Sequence, residues 1–332
     1  MCVGVAGLFC LDIVPKINEG QTLAPGLMVE VDECTISPGG PVSNVGVALS
    51  KMGMENIYAF ATVGKDVFSN VLLSKVSPYL IVDKIKFADC ATAYTIAITV
   101  PGVDRTYLHC RNASNHFSVK NIDLEGVPSL KWFHFGYPPL IRQTVKNDGK
   151  ELKNIFSLIK KRNSQTIISL DMSTPNDNSI NWNNFFSNVL PFVDVFCPSI
   201  EEILLMCHND VHKKLKNKYK NNFISHMPLS LLRRVSDKLS NYGCKSVILK
   251  MGSCGLYAKI YSEVLNWKKQ EIRCPAYKCK VVNAIGAGDA CVAGLIFSAL
   301  RGDTADKSMR FATKIASYSV RSINAFELIP KM

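Results

Sequence analysis

The sequence has no uninterrupted apolar run of the roughly 18 residues that a membrane-spanning helix requires, although 47% of its 332 residues are hydrophobic. It shows no internal repeat, and its twelve cysteines include no CxxC pair. These absences argue against a membrane protein, a repeat protein and a module built on zinc or disulfides. They favour an ordinary globular protein with reduced cysteines, which we expect to be cytoplasmic and to have no membrane partner.

The motifs of several common nucleotide-dependent enzymes are also missing. There is no GxxxxGK[ST] loop, no GxGxxG after the first apolar segment, and no set of VAIK, HRD and DFG. The sequence therefore does not predict a P-loop NTPase, a nicotinamide dehydrogenase or a protein kinase.

Acidic residues are scarce relative to basic ones, 27 against 39, which gives a formal net charge of +12. Much of the excess lies in the polar segment 213–220, KKLKNKYK. Such a run is typical of a solvated surface, so we expect no nucleic-acid partner. The remaining positive charge would help to attract an anionic substrate.

Short apolar segments alternate with helical patterns along most of the chain. The predicted strands are 2–9, 57–63, 130–135, 166–171, 193–197 and 245–251, and the predicted helices are 43–53, 67–78, 149–162, 200–208 and 228–242. The alternation predicts a mostly parallel sheet with helices on both faces, a three-layer α/β/α fold. Ligands bind beyond the carboxyl ends of the strands in such sheets, so we expect the site in the loops that follow them.

Two segments depart from this rhythm. Residues 27–36 and 85–110 alternate apolar and polar side chains, which predicts a small exposed antiparallel sheet. We therefore expect one domain, 1–332, with lid segments at about 15–38 and 85–112. The exposed edges of such a sheet favour a homodimer through the lid.

The most informative segment is 281–294, VVNAIGAGDACVAG. Gly286, Ala287 and Gly288 form a glycine-rich turn directly before Asp289, and apolar residues then recur at helical spacing. A turn that opens a helix presents unpaired backbone N–H groups and binds anions. The helix dipole would also keep Asp289 ionised. An anion site beside a base suits phosphoryl transfer to a hydroxyl, whereas the simpler alternative is a tight turn into a buried helix.

A second polar group lies near the N-terminus. Asp12 follows the first predicted strand, and Gly39-Gly40 comes shortly before Asn44. Adjacent glycines let backbone approach a ligand closely. A carboxylate and an amide together offer the acceptors and donors that vicinal hydroxyls require. The alternative is a plain turn followed by a helix surface residue.

In combination, these segments resemble the signatures of the ribokinase-like (PfkB) carbohydrate kinases. The family's Asp-Thr-x-Gly-Ala-Gly-Asp is similar to residues 283–289, its Gly-Gly-x-x-x-Asn to 39–44, and its VGxD to 63–66. The resemblance implies that Asp289 is the general base and that Gly286, Ala287 and Gly288 form the anion hole. It implies sugar contacts for these residues: Asp12, Gly39, Gly40, Asn44 and Asn112.

The resemblance also implies an ATP and Mg²⁺ site. Glu202 matches the Glu of the family's Asn-x-x-Glu and would hold Mg²⁺ through water, with Ser199 in place of the Asn. Lys250, Gly252 and Gly255 match a K-x-G-x-x-G turn that contacts the ATP phosphates. Taken alone, Ser199 and Glu202 predict a helix capping box, and the glycine turn predicts a hairpin.

One departure lies in the C-terminal motif. Asn283 and Ala284 stand where the family usually has Asp-Thr, and that Asp helps to hold a monovalent cation such as K⁺. An Asn keeps an acceptor oxygen but lacks the charge, so a dependence on K⁺ stays open.

We therefore expect an ATP-dependent kinase that phosphorylates a primary hydroxyl of a sugar. Three alternatives remain open. A nucleoside kinase would use Tyr94, Tyr107 and Phe117 as a slot for the base, and a phosphosugar kinase would need Arg105 or Arg111 in the pocket. The changes at Ser199 and Asn283 are also compatible with a catalytically weak protein that binds a metabolite as a sensor.

Overall fold

The computed structural model describes residues 1–18, 21, 24–98, 106–175, 177, 179–322 and 325–332. The strands in these residues are β1 Val3–Gly7, β2 Cys10–Pro15, β3 Cys34–Gly39, β4 Ile57–Phe60, β5 Thr62–Gly64, β6 Lys86–Ala88, β7 Tyr94–Ile98, β8 Thr106–Cys110, β9 Trp132–Gly136, β10 Ile167–Asp171, β11 Val195–Phe196, β12 Ser246–Lys250, β13 Leu256–Ile260 and β14 Gln270–Cys274. The α-helices are α1 Gly40–Lys51, α2 Val67–Val76, α3 Arg142–Arg162, α4 Trp182–Val189, α5 Ile200–Cys207, α6 Asn209–Tyr219, α7 Leu229–Asn241, α8 Ala287–Leu300 and α9 Ala305–Ser319.

Eight strands form the central sheet, in the order β14-β13-β12-β11-β10-β9-β1-β4. The strands from β12 to β4 pair in parallel, whereas β13 and β14 add an antiparallel edge. Helices α1, α8 and α9 share one apolar core, and α3, α4, α5 and α7 share a second. Adjacent residues of β1 contribute to different cores, so helices cover both faces of the sheet. The predicted three-layer, mostly parallel fold is confirmed.

A second sheet, which we call the lid sheet, has the order β3-β2-β7-β8. Its existence was predicted, but two details were wrong. Asp12 lies within β2, a strand of the lid sheet, and does not simply follow the first central strand. The pairing of β2 with β7 is parallel, so the sheet is mixed. Alternating side chains indicate which face of a strand is exposed, but they do not identify its partner or direction.

The bounds of the lid sheet also differ from the prediction. Residues 27–33 form no strand, and β6 pairs with β5 in a separate two-stranded sheet. The edge strands β3 and β8 carry exposed apolar side chains, Ile36 on the first and Tyr107 and Leu108 on the second. A homodimer through these edges stays a prediction.

Asp66 connects the lid sheet to the central fold. Its carboxylate caps α2 by accepting from the Ser69 amide at 2.9 Å. It also accepts from the amide and the hydroxyl of Thr92, both at 2.7 Å, just before β7 begins. These hydrogen bonds hold the pKa of Asp66 below its usual range despite partial burial. The VGxD segment therefore has a structural role here.

The lysine-rich segment 213–220 forms the second half of α6 and the residue after it, and its lysines are exposed. This agrees with a solvated surface. Among the described residues, none of the helices combines the length and the apolar character that crossing a membrane requires.

The close approach of β1 and β9 gives a first prediction. Gly7 has φ +122°, and a Cβ added there would lie 2.1 Å from the Gly136 carbonyl oxygen. We expect Gly7→Ala to lower the free energy of unfolding by roughly 3 kcal/mol, because both the backbone conformation and the contact oppose a side chain. Gly126→Ala is the matched control, since Gly126 also has positive φ but nothing within 4 Å. We expect Gly126→Ala to lower the free energy of unfolding by only about 1 kcal/mol, with both variants measured by urea denaturation. Equal losses would contradict the steric explanation.

Candidate active site

Polar side chains collect where three central strands end. Asp171 and Lys250 are the last residues of β10 and β12, and Tyr137 follows β9. In the sheet β9 lies next to β10, and β11 separates β10 from β12. All four strands run parallel, so the carboxyl ends of β9, β10 and β12 meet at one edge of the sheet. This edge is where open α/β sheets bind ligands.

The glycine turn before α8 provides the next part of the site. Gly286 caps the helix with φ 76°, a left-handed conformation that favours glycine. A Cβ added there would also lie 2.4 Å from the Ala325 Cβ atom. The amide of Ala287 donates weakly to the Ala284 carbonyl oxygen at 3.4 Å, so one of the three amides predicted to bind an anion already has a partner.

Asp289 lies in the first turn of α8 and is only 1% exposed. The Nδ2 atom of Asn44, in α1, donates to Asp289 Oδ2 at 2.8 Å. Asp289 Oδ1 is buried and has no hydrogen-bond partner among the described residues. Asn44 was predicted to bind substrate, and the structure shows that it holds the predicted base directly.

Burial, followed by repulsion from Asp171, raises the pKa of Asp289 to about 6. Asn44, Lys250 and Tyr137 act in the opposite direction. The expectation that the helix dipole keeps this carboxylate ionised did not include desolvation, which is the largest effect on its pKa here. Above its pKa the group is ionised, and a pKa near the working pH suits a general base.

Lys250 forms a buried ion pair with Asp171, which is completely buried. Its Nζ atom would lie 3.1 Å from a Cβ placed on Gly288. The ammonium group is therefore against the first turn of α8, where it adds positive charge to the predicted anion site. Asp171 and Glu202 raise the pKa of Lys250 despite its burial, so the side chain stays charged.

Ser199 and Glu202 form the capping box of α5. The Glu202 amide donates to Ser199 Oγ at 3.2 Å, and the Ser199 amide donates to Glu202 Oε2 at 2.9 Å. Burial raises the pKa of Glu202 to about 7, with Lys250 opposing and Asp171 adding to the shift. The capping interpretation is confirmed, and the metal role of Glu202 stays a prediction.

A cavity of about 460 Å³ opens beside this cluster, and we call it the α8–α9 cavity. Its volume is within the usual range for small-molecule sites. Lys250 and Gly288 line it next to the polar cluster, and Thr313 of α9 and Val320 after α9 also line it. Gly252 and Gly255 line it from the turn that joins β12 and β13, so the predicted hairpin turn is present and faces the cavity.

The lid sheet brings Asp12 close to the start of α1. A Cβ added at Gly39 would lie 2.3 Å from the Asp12 carboxylate, so glycine is required for this approach. Gly40 has φ +79° and directs the chain into the helix that carries Asn44. The Cys10 thiol donates to Asp12 Oδ1 at 3.6 Å, and both Asp12 and Asp289 raise its pKa. Burial raises the pKa of Asp12 to about 6.

The sequence matches the model of the pfkB family carbohydrate kinases over residues 4–332. The chain belongs to the PfkB family. It is 22% identical over 299 residues to the ATP-dependent 6-phosphofructokinase of Thermoanaerobacterium thermosaccharolyticum, which covers 88% of this chain and 81% of that protein.

Solved structures of other kinases share the fold. Arabidopsis thaliana ribokinase, complexed with ribose and ATP, superposes with a TM-score of 0.74 at 17% identity, over 99% of this chain and 96% of that one. The aminoimidazole riboside kinase of Salmonella enterica, complexed with aminoimidazole riboside and an ATP analog, has a TM-score of 0.71 at 19% identity. The superposition covers 100% of this chain and 97% of that one. These similarities show the ribokinase-like fold.

Other predicted PfkB site residues are less closely connected to this cluster. Asn112 begins the short 3-10 helix Asn112–His116 after β8, and its side chain makes no hydrogen bond within the described part of the chain. Asn283 Oδ1 accepts from the Ile285 amide at 3.0 Å, and the Asn283 amide donates to the Val320 carbonyl oxygen at 3.2 Å. Arg105 lies outside the described residues.

The aromatic residues proposed for a nucleoside slot are dispersed. Phe117 is completely buried and packs against Phe135 at 5.9 Å between ring centroids. Tyr94 packs edge-on against Phe68 at 5.5 Å, and Tyr107 is 51% exposed. Phe117 cannot stack on a nucleobase without leaving the core, so it is not available for this slot, and a nucleoside substrate stays a prediction.

Sequence reasoning missed two residues of the cluster, Tyr137 and Asp171. Both stand at or just after the carboxyl end of a predicted strand, which is where ligand contacts were expected. Their position was therefore a usable signal. The side chains they contact come from other strands and from α8, and those contacts could not be read from local sequence.

The buried ion pair gives a second prediction. Lys250→Met leaves Asp171 buried and unpaired, and we expect the free energy of unfolding at about pH 8 to fall by about 3–5 kcal/mol. Burial raises the pKa of Asp171, so its folded form binds a proton more readily than its unfolded form. The loss should therefore shrink as the pH falls toward about 5.

Urea denaturation of wild type and variant at both pH values measures this difference. The matched control is the double variant Lys250→Met/Asp171→Asn, which removes both charges and should recover part of the stability. A double variant as unstable as the single one, or a loss that does not vary with pH, would show that the pair is not a buried ion pair.

Proposed function

We propose that this PfkB family protein is an ATP-dependent sugar kinase that transfers the γ-phosphate of ATP to a primary hydroxyl of its substrate. One observation carries the proposal. A buried carboxylate, Asp289, is held by Asn44 at the N-terminus of α8, beside the Lys250 ammonium and the α8–α9 cavity. This arrangement supports a role for Asp289 as a base next to an anion site.

Asp289 would act as the general base. Asn44 fixes Oδ2, which leaves the unpartnered Oδ1 to accept the proton of the attacking hydroxyl. A base with a pKa of about 6 is largely ionised at neutral pH and can still take up a proton during the reaction.

The charge of the transferring phosphoryl group would be stabilised by fixed positive groups. The amides of Gly286, Ala287 and Gly288 lie at the positive end of α8, and Lys250 lies against that turn. Charge stabilisation of this kind supplies most of the catalysis in phosphoryl transfer, because the protein contributes little covalent chemistry.

The α8–α9 cavity fits a nucleotide. The phosphates would lie against Lys250, Gly252 and Gly255, close to Ser199, which forms a β-bridge with Lys250. The adenine ring of the nucleotide would lie against the apolar wall formed with α9. ATP binding is thus supported by the shape of the cavity and by the charge at one end of it.

Glu202 fits a role in binding Mg²⁺ through water. It is an acidic side chain beside Asp171 and Lys250, and a nearby divalent cation would favour its ionised form. When bound, Mg²⁺ neutralises charge on the ATP phosphates. Asn283 lacks a negative charge, and its side-chain oxygen already accepts from Ile285, so we derive no step through K⁺.

The sugar would bind between the lid sheet and α1. Asp12, Gly39 and Gly40 meet there, with Asn44 one helical turn further on, and Asn112 could complete the contact from the end of β8. Closure of the lid would exclude water from the transferring phosphoryl group.

A phosphosugar kinase is the second candidate, since one observation favours it. Arg111 follows β8 in the lid and is half-buried, and its charge adds to burial, the larger effect, in lowering the pKa of the His109 imidazole. A cation in this position could bind a phosphate on the substrate. The relative that is named a 6-phosphofructokinase supports including sugar phosphates in the test. The intact base argues against a sensor that only binds a metabolite.

The proposal is tested by measuring ATP consumption over pentoses, hexoses, their phosphates and nucleosides. We expect one class to be phosphorylated, and Asp289→Asn to lower kcat for that substrate by at least about 10³-fold with ATP binding retained. Asp306→Asn is the matched control, because Asp306 forms an exposed pair with Arg310. Near-normal turnover by Asp289→Asn would remove Asp289 as the base. If no compound of the panel stimulates ATP consumption but one of them binds measurably, the result would favour the sensor.

Glu202→Gln tests the metal role. Glutamine can still accept from the Ser199 amide, so the fold should be kept, while the loss of charge should raise the Mg²⁺ concentration for half-maximal activity roughly tenfold. Glu201→Gln is the matched control, since Glu201 lies in the same helical turn but pairs with His212 and Lys216. Identical Mg²⁺ titrations for both variants would leave Glu202 with the capping role alone.

A further inference from the structure

Tyr137 has a backbone conformation that is unusual for its residue type. It lies at φ 62° and ψ 46°, in the left-handed region that bulky side chains rarely adopt. The following Pro138 restricts its backbone further. The conformation is held because the Tyr137 amide donates to the Asp171 carbonyl oxygen at 3.2 Å and the Leu140 amide donates to the Tyr137 carbonyl oxygen at 3.0 Å. Strain of this kind concentrates at functional sites.

The strained turn places the Tyr137 phenol beside Asp289, among the acidic groups of the site. Burial and the nearby carboxylates of Asp289, Asp171 and Glu202 raise the pKa of Tyr137. The phenol therefore keeps its proton and is a hydrogen-bond donor to a neighbouring carboxylate. Asp289 Oδ2 is already occupied by Asn44. The buried Oδ1 is the atom that lacks a partner among the described residues.

The other groups that face Asp289 cannot take this place. Asp171 repels it, and Lys250 is committed to its ion pair with Asp171. The thiols of Cys10 and Cys197 are influenced by Asp289, and burial raises their pKa values, so they stay neutral and are weak donors.

We propose that Tyr137 is a positioning residue, whose phenol donates a hydrogen bond to Asp289 and holds the carboxylate toward the attacking hydroxyl of the substrate. Together with Asn44 it fixes the carboxylate from two sides. During transfer the proton of the acceptor hydroxyl passes to Asp289, while the phenol keeps its own. The proposal rests on the kinase function proposed above.

The test compares wild type, Tyr137→Phe and Tyr257→Phe over about pH 5 to 9. A donor to the ionised form lowers the pKa of a carboxylate, so its removal should raise the pKa of Asp289. The acid limb of the kcat/KM profile should then move up by about one pH unit, so kcat/KM at about pH 6 should fall roughly fivefold and recover above about pH 8. The KM for ATP should not change. Tyr257 is a matched control, since it is a buried tyrosine in β13 whose hydroxyl has no hydrogen-bond partner among the described residues.

A second variant guards against a folding defect. Tyr137→Asn suits the left-handed backbone and also removes the phenol, so it should show the same shift of the acid limb. An active wild type with an unshifted acid limb in both variants would overturn the role of Tyr137 and leave the kinase function intact. A wild type that phosphorylates no member of the substrate panel would instead overturn the kinase function itself.

Discussion

The hydrogen bond from Asn44 to Asp289 is the contact on which the rest of the site depends. It joins α1 and α8 across a separation of 245 residues in the chain. A buried carboxylate requires a partner, and this amide provides one for Oδ2, whereas the buried Oδ1 has no hydrogen-bond partner among the described residues. Because α8 is buried along most of its length, Asp289 cannot adjust by moving its backbone.

The site is also defined by an imbalance of buried charge. Asp171, Asp289 and Glu202 are gathered around one ammonium group, Lys250. Burial is costly for each carboxylate, and the cost is visible in pKa values of about 6 for Asp289 and about 7 for Glu202. Added positive charge near this cluster would stabilise the ionised forms of its carboxylates. Under the proposed function, a nucleotide with its divalent cation would bring positive charge that favours the ionised carboxylates, and phosphates for Lys250 and the start of α8.

Much of the fold and part of the site could be predicted from local sequence. The alternation of strands and helices predicted the central sheet, and the glycine turn predicted the start of α8. The lid sheet was predicted only in outline, because the apolar N-terminus reads as one strand although the chain turns after Gly7 and enters β2. Asn44 was predicted as a sugar contact, and its hydrogen bond to Asp289 depends on a contact between distant helices.

The sequence by itself determined the family, the layer order and which backbone turns could bind anions, since these follow from periodicity and from short glycine motifs. Only the tertiary structure decided how strongly each acid is protonated and which side chains surround Asp289, the proposed base. Tyr137 and Asp171 illustrate the reason. Their chemistry depends on desolvation and on charges supplied by other strands, and both effects arise only when segments that are far apart in the chain are packed together.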